Sequence, residues 1–121
     1  MFVFENLEVY KKALNLYGGI TSLPFKRTME DRIIAKQLIR ASLSISLNIA
    51  EGSGKEGKRD RRNFLLISRG SLYESVAILN VLISNKTISK NEYLKLYSIA
   101  EEISKMLYVM IKNIEKEIPN K

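Results

Sequence analysis

The chain has no cysteine, no histidine and no tryptophan among its 121 residues. Without cysteine there is no disulfide framework, no thiolate metal site and no cysteine nucleophile. Without histidine the commonest metal ligand and the commonest general base are missing. Proline and glycine number two and six, so few residues interrupt helices. No unbroken apolar run reaches the ~18 residues of a membrane span. The start, Met1-Phe2-Val3-Phe4-Glu5-Asn6, has no basic stretch ahead of an apolar one. Neither a membrane partner nor a secretory signal is therefore expected, and the expected location is the cytoplasm.

Apolar residues make up 45% and charged residues 27%, the balance of a globular protein with one core. A single domain over residues 1–121 is expected. Lysine and arginine number 20 against 13 acidic residues, a net charge of +7. Such a surface favours polyanionic partners.

Hydrophobic spacing predicts four helices, at about 5–22, 29–51, 59–85 and 90–118. In the first, Leu7, Tyr10, Leu14, Tyr17 and Thr21 form one stripe and Ala13, Leu16, Ile20 and Leu23 a second. Gly18-Gly19 weakens its late part by ~1 kcal/mol per glycine, and Pro24 closes it. Thr28 with Asp31, and Ser89 with Glu92, have the spacing of helix-start capping pairs. Small residues on several faces of the second helix predict close approach to its neighbours. The third helix is apolar on nearly all sides, which predicts burial on nearly all sides. Gly52 to Gly57 reads as the loop between these two, with glycine at the helix C-terminus.

Four amphipathic helices with short connections make an all-α antiparallel up-down bundle. These helices carry more apolar stripes than one bundle core needs. The surplus predicts a homo-oligomer.

Charge is concentrated. Lys55, Lys58, Arg59, Arg61, Arg62 and Arg69, offset by Glu56 and Asp60, give a net +4 over residues 55–69. Arginine forks and a helix N-terminus both suit phosphate. Cations at a helix N-terminus are electrostatically unfavourable, which points to an outside anion. The plain alternative is a solvated helix start with internal pairing. Lys11-Lys12 and Lys26-Arg27 are smaller clusters and read first as ordinary surface.

Nucleotide hydrolysis is not supported. Gly52, Gly57 and Lys58 have the gap of a phosphate loop, but Arg59 stands where a Ser or Thr ligand to Mg²⁺ is required. Glu51, Asp60 and Glu74 are the candidate acid or base groups near the basic region. Glu74 on an apolar helix calls for a polar or cationic partner, with Arg40 and Arg69 as candidates. Asn48 within an apolar stripe reads as a register-setting polar group, with ligand contact as the alternative. No catalytic set, cofactor or metal site is expected.

Several blocks together carry a resemblance. They are Phe4-x-x-Leu7-x-Val9-Tyr10-x-x-Ala13, then Gln37-Leu38-x-Arg40-Ala41-x-x-Ser44-Ile45-x-x-Asn48-Ile49-Ala50-Glu51-Gly52, then Phe64-Leu65 ahead of Gly70-Ser71-Leu72-x-Glu74. The chain resembles, over essentially its whole length, the four-helix proteins encoded in intervening sequences of bacterial 23S ribosomal RNA. That family is similar to the accessory variability determinant of diversity-generating retroelements. The resemblance implies a barrel-like homopentamer without catalytic residues. In the accessory relatives it implies a basic surface for nucleic acid and a reverse transcriptase. It implies mainly structural roles for Arg40, Asn48, Glu51, Gly52, Gly70, Ser71 and Glu74. Arg69 departs from the small residue usual before Gly70 and adds charge beside the basic cluster.

The expectation is a nucleic-acid-binding oligomer that reads phosphate, RNA or DNA, through Lys55, Lys58, Arg59, Arg61, Arg62 and Arg69. The alternative is a scaffold for a protein partner such as a reverse transcriptase.

Overall fold

The structure, a computed structural model, describes residues 1–119. Among them are four α-helices: α1 Glu8–Thr21, α2 Met29–Ser53, α3 Lys58–Ser84 and α4 Lys90–Glu117. A 3₁₀ turn, Val3–Asn6, precedes α1. The first helix thus starts later than its periodicity predicts, because Leu7 is extended (φ −71°, ψ 128°) and breaks the turn from the helix. Phe4 packs edge-on against Tyr10, with centroids 4.9 Å apart, and holds the turn on α1.

Both capping pairs form. Thr28 Oγ1 accepts from the Asp31 backbone N–H at 3.2 Å. Ser89 and Glu92 make a reciprocal box, each side chain accepting from the other's backbone N–H.

The helices pack in a ring, α1 on α2, α2 on α3, α3 on α4 and α4 on α1, with no diagonal packing among the described residues. Cross-helix bonds set antiparallel registers: Gln37 to Glu74 and Ser44 to Ser71 on α2/α3, Asn80 to Tyr93 and Lys58 to Glu117 on α3/α4. One side of each helix fills the core. Ala13, Leu16 and Ile20 of α1 meet Leu38, Ile45 and Ile49 of α2, Leu72 and Leu79 of α3, and Ile103 and Leu107 of α4.

The α2/α3 seam is lined with small residues. Ser44 of α2 meets Ser71 of α3 there, and Ser68 and Ser75 of α3, like Ser42 and Ser46 of α2, are buried. Ser42, Ser46 and Ser75 bond back to their own helices, and Ser68 donates across to the Ile45 carbonyl. Each hydroxyl is satisfied at little volume, and the Ser68 bond to the Ile45 carbonyl brings the α2 and α3 backbones close. Gly52 belongs to this contact. It lies inside α2, and a Cβ there would stand 2.9 Å from Phe64 Cβ. The expected loop is therefore shorter, residues 54–57, and Gly52 serves helix approach. The α2 C-cap is Gly54, at φ −88° and ψ −3°, without the left-handed turn that glycine usually supplies.

The other end of the bundle is tied by Asp31. This buried carboxylate accepts from the Lys26 backbone N–H at 3.1 Å and from Thr87 Oγ1 at 3.2 Å. It joins the α1–α2 connection to the α3–α4 connection. Asp31→Ala leaves the Lys26 N–H without its acceptor, while Thr87 Oγ1 keeps Asn85 Oδ1 at 2.7 Å; one stranded donor costs about 1–3 kcal/mol. The expected thermal melt falls by roughly 4–12 °C for a domain of this size, and calorimetry would check it.

The third helix is not buried on all sides within one protomer. Ile67 is 50%, Tyr73 61% and Val81 48% exposed. An 18-residue window of α3 is as apolar as a membrane span by length and composition, yet only 28% of it is buried. Periodicity located these apolar faces but not what covers them.

Candidate nucleic-acid interface

Residues 54–57 turn the chain from α2 into α3. The turn is braced by its own cations. Arg61 Nε donates to the Lys55 carbonyl oxygen at 2.6 Å. The Lys55 ammonium stands 5.3 Å from the Phe64 ring centre, a cation–π contact.

The first turn of α3 lies beside the last turn of α4. Lys58 Nζ is 3.3 Å from Glu117 Oε1. Arg59 Nη2 donates to the Pro119 carbonyl at 3.3 Å. A shallow hollow of about 380 Å³ lies between them, lined also by Gly57, Asp60 and Ile118. The negative end of α4 thus faces the positive end of α3. Part of the charge compensation at the α3 N-terminus is thus α4's own C-terminal end, the internal pairing given above as the alternative.

The pairing is weak. The Lys58 and Glu117 side chains are 48% and 58% exposed, so their ion pair is worth about 0–1 kcal/mol. Parting Lys58 from Glu117 therefore costs little. Arg61 is exposed and Arg62 half-buried. Among the described residues the Arg62 Nε is buried without a hydrogen-bond partner. Arg69 is half-buried and makes no ion pair among the described residues. It sits two helical turns from Arg62 along α3, so the six cations form a pole with an extension up the helix.

The smaller clusters are dispersed. Lys11 pairs with Glu8 at 3.7 Å and Lys12 with Glu102 at 3.2 Å. The Lys26 main chain serves Asp31. Arg27 joins a second basic patch, with Arg32 and Lys36 around exposed Met29 and Ile33. Sequence reasoning missed this patch. Residues 29–54 are neutral in sum, but Asp31, one of the cancelling carboxylates, faces inward. The signal was the fourfold spacing of Arg32, Lys36 and Arg40.

Of the motif residues, Gly52, Ser71 and Glu74 join helices. Asn48 Nδ2 donates to the Ser44 carbonyl at 2.8 Å and to Ser44 Oγ at 3.0 Å. Ser71 donates to the same Ser44 hydroxyl at 2.8 Å. Glu74 is exposed and accepts from Gln37 Nε2 at 3.0 Å; its polar partner is neither Arg40 nor Arg69. Arg40 and Glu51 are exposed. Gly70 differs from Gly52: among the described residues nothing lies within 4 Å of where its Cβ would stand.

Fold and site together define an all-α four-helix bundle with one strongly basic pole. The chain belongs to the 23S rRNA-intervening sequence protein family, whose model matches residues 5–109. It is similar to a crystal structure from Bacteroides thetaiotaomicron of a protein with unknown function from the S23 ribosomal protein family. The identity is 28% and the TM-score 0.78, over 86% of this chain and 95% of that one. No curated protein matches the chain.

Proposed function

We propose that the protein is a non-enzymatic, cytoplasmic homo-oligomer that binds the phosphate backbone of RNA or DNA through the α2–α3 turn and the start of α3. The observation that carries this reading is the charge at that pole: a net +4 of the total +7 lies in residues 55–69. The cations there are anchored by the fold while their internal pairing is weak.

The oligomer is supported by the outward side of the α2/α3 seam. Ile33 is 62%, Leu47 56%, Ile67 50% and Val81 48% exposed. Gly70 lies on the same side, and a mid-helix glycine costs ~1 kcal/mol relative to alanine. With open space around it in one protomer, a neighbouring copy supplies a reason for it. The likeness to the accessory variability determinant supports a pentamer. Symmetry then repeats the basic pole, and several weak patches act together. The same apolar face favours a second reading, a scaffold for a protein partner such as a reverse transcriptase.

The test is a titration of the purified protein against a labelled 23S ribosomal RNA fragment at several salt concentrations. A log–log slope steeper than about −3 is expected, since each neutralised phosphate contributes about −0.7 to −0.9. A flat salt dependence, or no binding at low salt, overturns the nucleic-acid reading in favour of the scaffold.

A further inference from the structure

The seam between α3 and α4 carries a second feature that the charge pattern does not explain. A groove of about 350 Å³ opens there, lined by Tyr73, Val76 and Asn80 of α3 and by Tyr97, Glu101 and Ser104 of α4, among others. Its surface is mostly apolar, yet it is rimmed by rings. Tyr73 is 61% exposed. Tyr97 leans on Tyr93, centroids 5.5 Å apart and tilted by 33°, so the α4 wall holds an ordered aromatic pair.

The groove is continuous with the basic pole. On α3, Arg62, Leu66, Arg69, Tyr73, Val76 and Asn80 follow one stripe at steps of four and three. On α4, the stripe of Tyr97, Glu101 and Ser104 runs on to Tyr108 and Lys112. The antiparallel register is fixed at both ends, by Tyr93 donating to Asn80 Oδ1 at 2.6 Å and by Lys58 at Glu117. From Asn80 to Lys58 the seam is about 33 Å long, at about 1.5 Å per residue. Along it the surface passes from tyrosines to Arg69, then to Tyr108 with the Lys112 ammonium 5.6 Å from its ring centre, then to Arg62 and Lys58.

We infer that this seam is a track for unpaired RNA, with bases stacked on the tyrosines and phosphates held by the neighbouring cations. The inference rests on the nucleic-acid reading above and adds the strand state of the ligand. Aromatic faces next to fixed cations are what a single strand uses, because its bases are free to stack. A duplex keeps its bases paired and offers only phosphates and sugars. The polar groups in the groove suit base edges. Asn80 Oδ1 already accepts from Tyr93, which leaves its amide N–H groups as donors. Glu101 is exposed there and accepts from exocyclic amino groups. A carboxylate at this place repels phosphate, so bases rather than backbone belong in the groove and backbone on the basic flank.

The experiment compares a labelled unstructured RNA oligonucleotide with the duplex it forms with its complement, at one salt concentration. The proteins are the full chain, Tyr73→Ala, Tyr108→Ala and the two corresponding Phe variants. Tighter binding of the single strand is expected. Each Ala variant loses roughly 5- to 100-fold for the single strand, the range of one base–aromatic stack, and little for the duplex. The Phe variants keep the affinity, because the ring does the stacking. Equal binding of both forms with silent Ala variants overturns this inference and leaves the phosphate reading standing. No binding of either form overturns both. An Ala variant whose assembly mass changes shows that the ring packs on a second copy, which also overturns the track.

Discussion

Replacing Lys58, Arg59, Arg61 and Arg62 with alanine lowers RNA affinity by an expected 100- to 1,000-fold, roughly one lost charge-assisted contact per residue. The log–log salt slope becomes shallower by about 3 in the same variant, since four phosphate contacts are removed. Folding is expected to survive. Lys58 loses only an exposed ion pair with Glu117. Arg59 loses one bond to the Pro119 carbonyl, and Arg61 loses its brace on the Lys55 carbonyl. Removing Arg62 also removes a buried Nε without a partner among the described residues, a group that costs about 1–3 kcal/mol where it stands. Circular dichroism checks the helix content and fluorescence anisotropy the affinity. A paired Arg61→Lys, Arg62→Lys variant separates charge from geometry: it keeps the salt slope and loses affinity only through the missing fork. A quadruple variant that binds as tightly as the parent would show that the basic pole is solvated surface.

The second large effect concerns assembly. Leu47 and Ile67 stand 56% and 50% exposed, in register across the outward side of the α2/α3 seam. Each apolar side chain of this size contributes about 1.5–3 kcal/mol when a neighbour buries it. The double variant Leu47→Glu, Ile67→Glu replaces that gain with carboxylates that an apolar interface leaves unpaired. By light scattering the parent is expected at a multiple of 13.9 kDa, and the variant at a single protomer mass. RNA affinity is expected to fall roughly 10- to 100-fold with the lost multivalency, although no basic residue changes. A parent that already scatters as one protomer would refute the oligomer and turn attention to a protein partner for this face.

Helix order and number were legible in the sequence, because apolar spacing, the stop at Pro24 and two capping pairs all agree on them. The capping residues Thr28 and Ser89 act within a turn, so their roles need no tertiary information. The basic pole was legible for the same local reason: its cations are neighbours along the chain. Asn48 bonds Ser44 one turn back on its own helix, a local contact, whereas the link from Ser44 to Ser71 depends on how closely α2 and α3 approach.

Other features were decided only by the packed bundle. Gly52 has the sequence look of a turn residue, and only the position of Phe64 makes it a contact between helices. Leu7 has the spacing of the first helix, and only its extended backbone shows where that helix begins. Glu74 found Gln37 because the α2/α3 register puts those two opposite each other. Arg32 and Lys36 were hidden by a charge count that cannot tell the inward Asp31 from an outward carboxylate. Tyr73 lies on α3 and Tyr97 and Tyr108 on α4, so only the packing of those two helices brings the rings to one seam. What the chain determines by itself is what residues within a few positions do to one another. Which faces meet, which cations keep free capacity and which rings share a groove follow from contacts between residues distant along the chain. Those contacts are selected by close packing of the whole core.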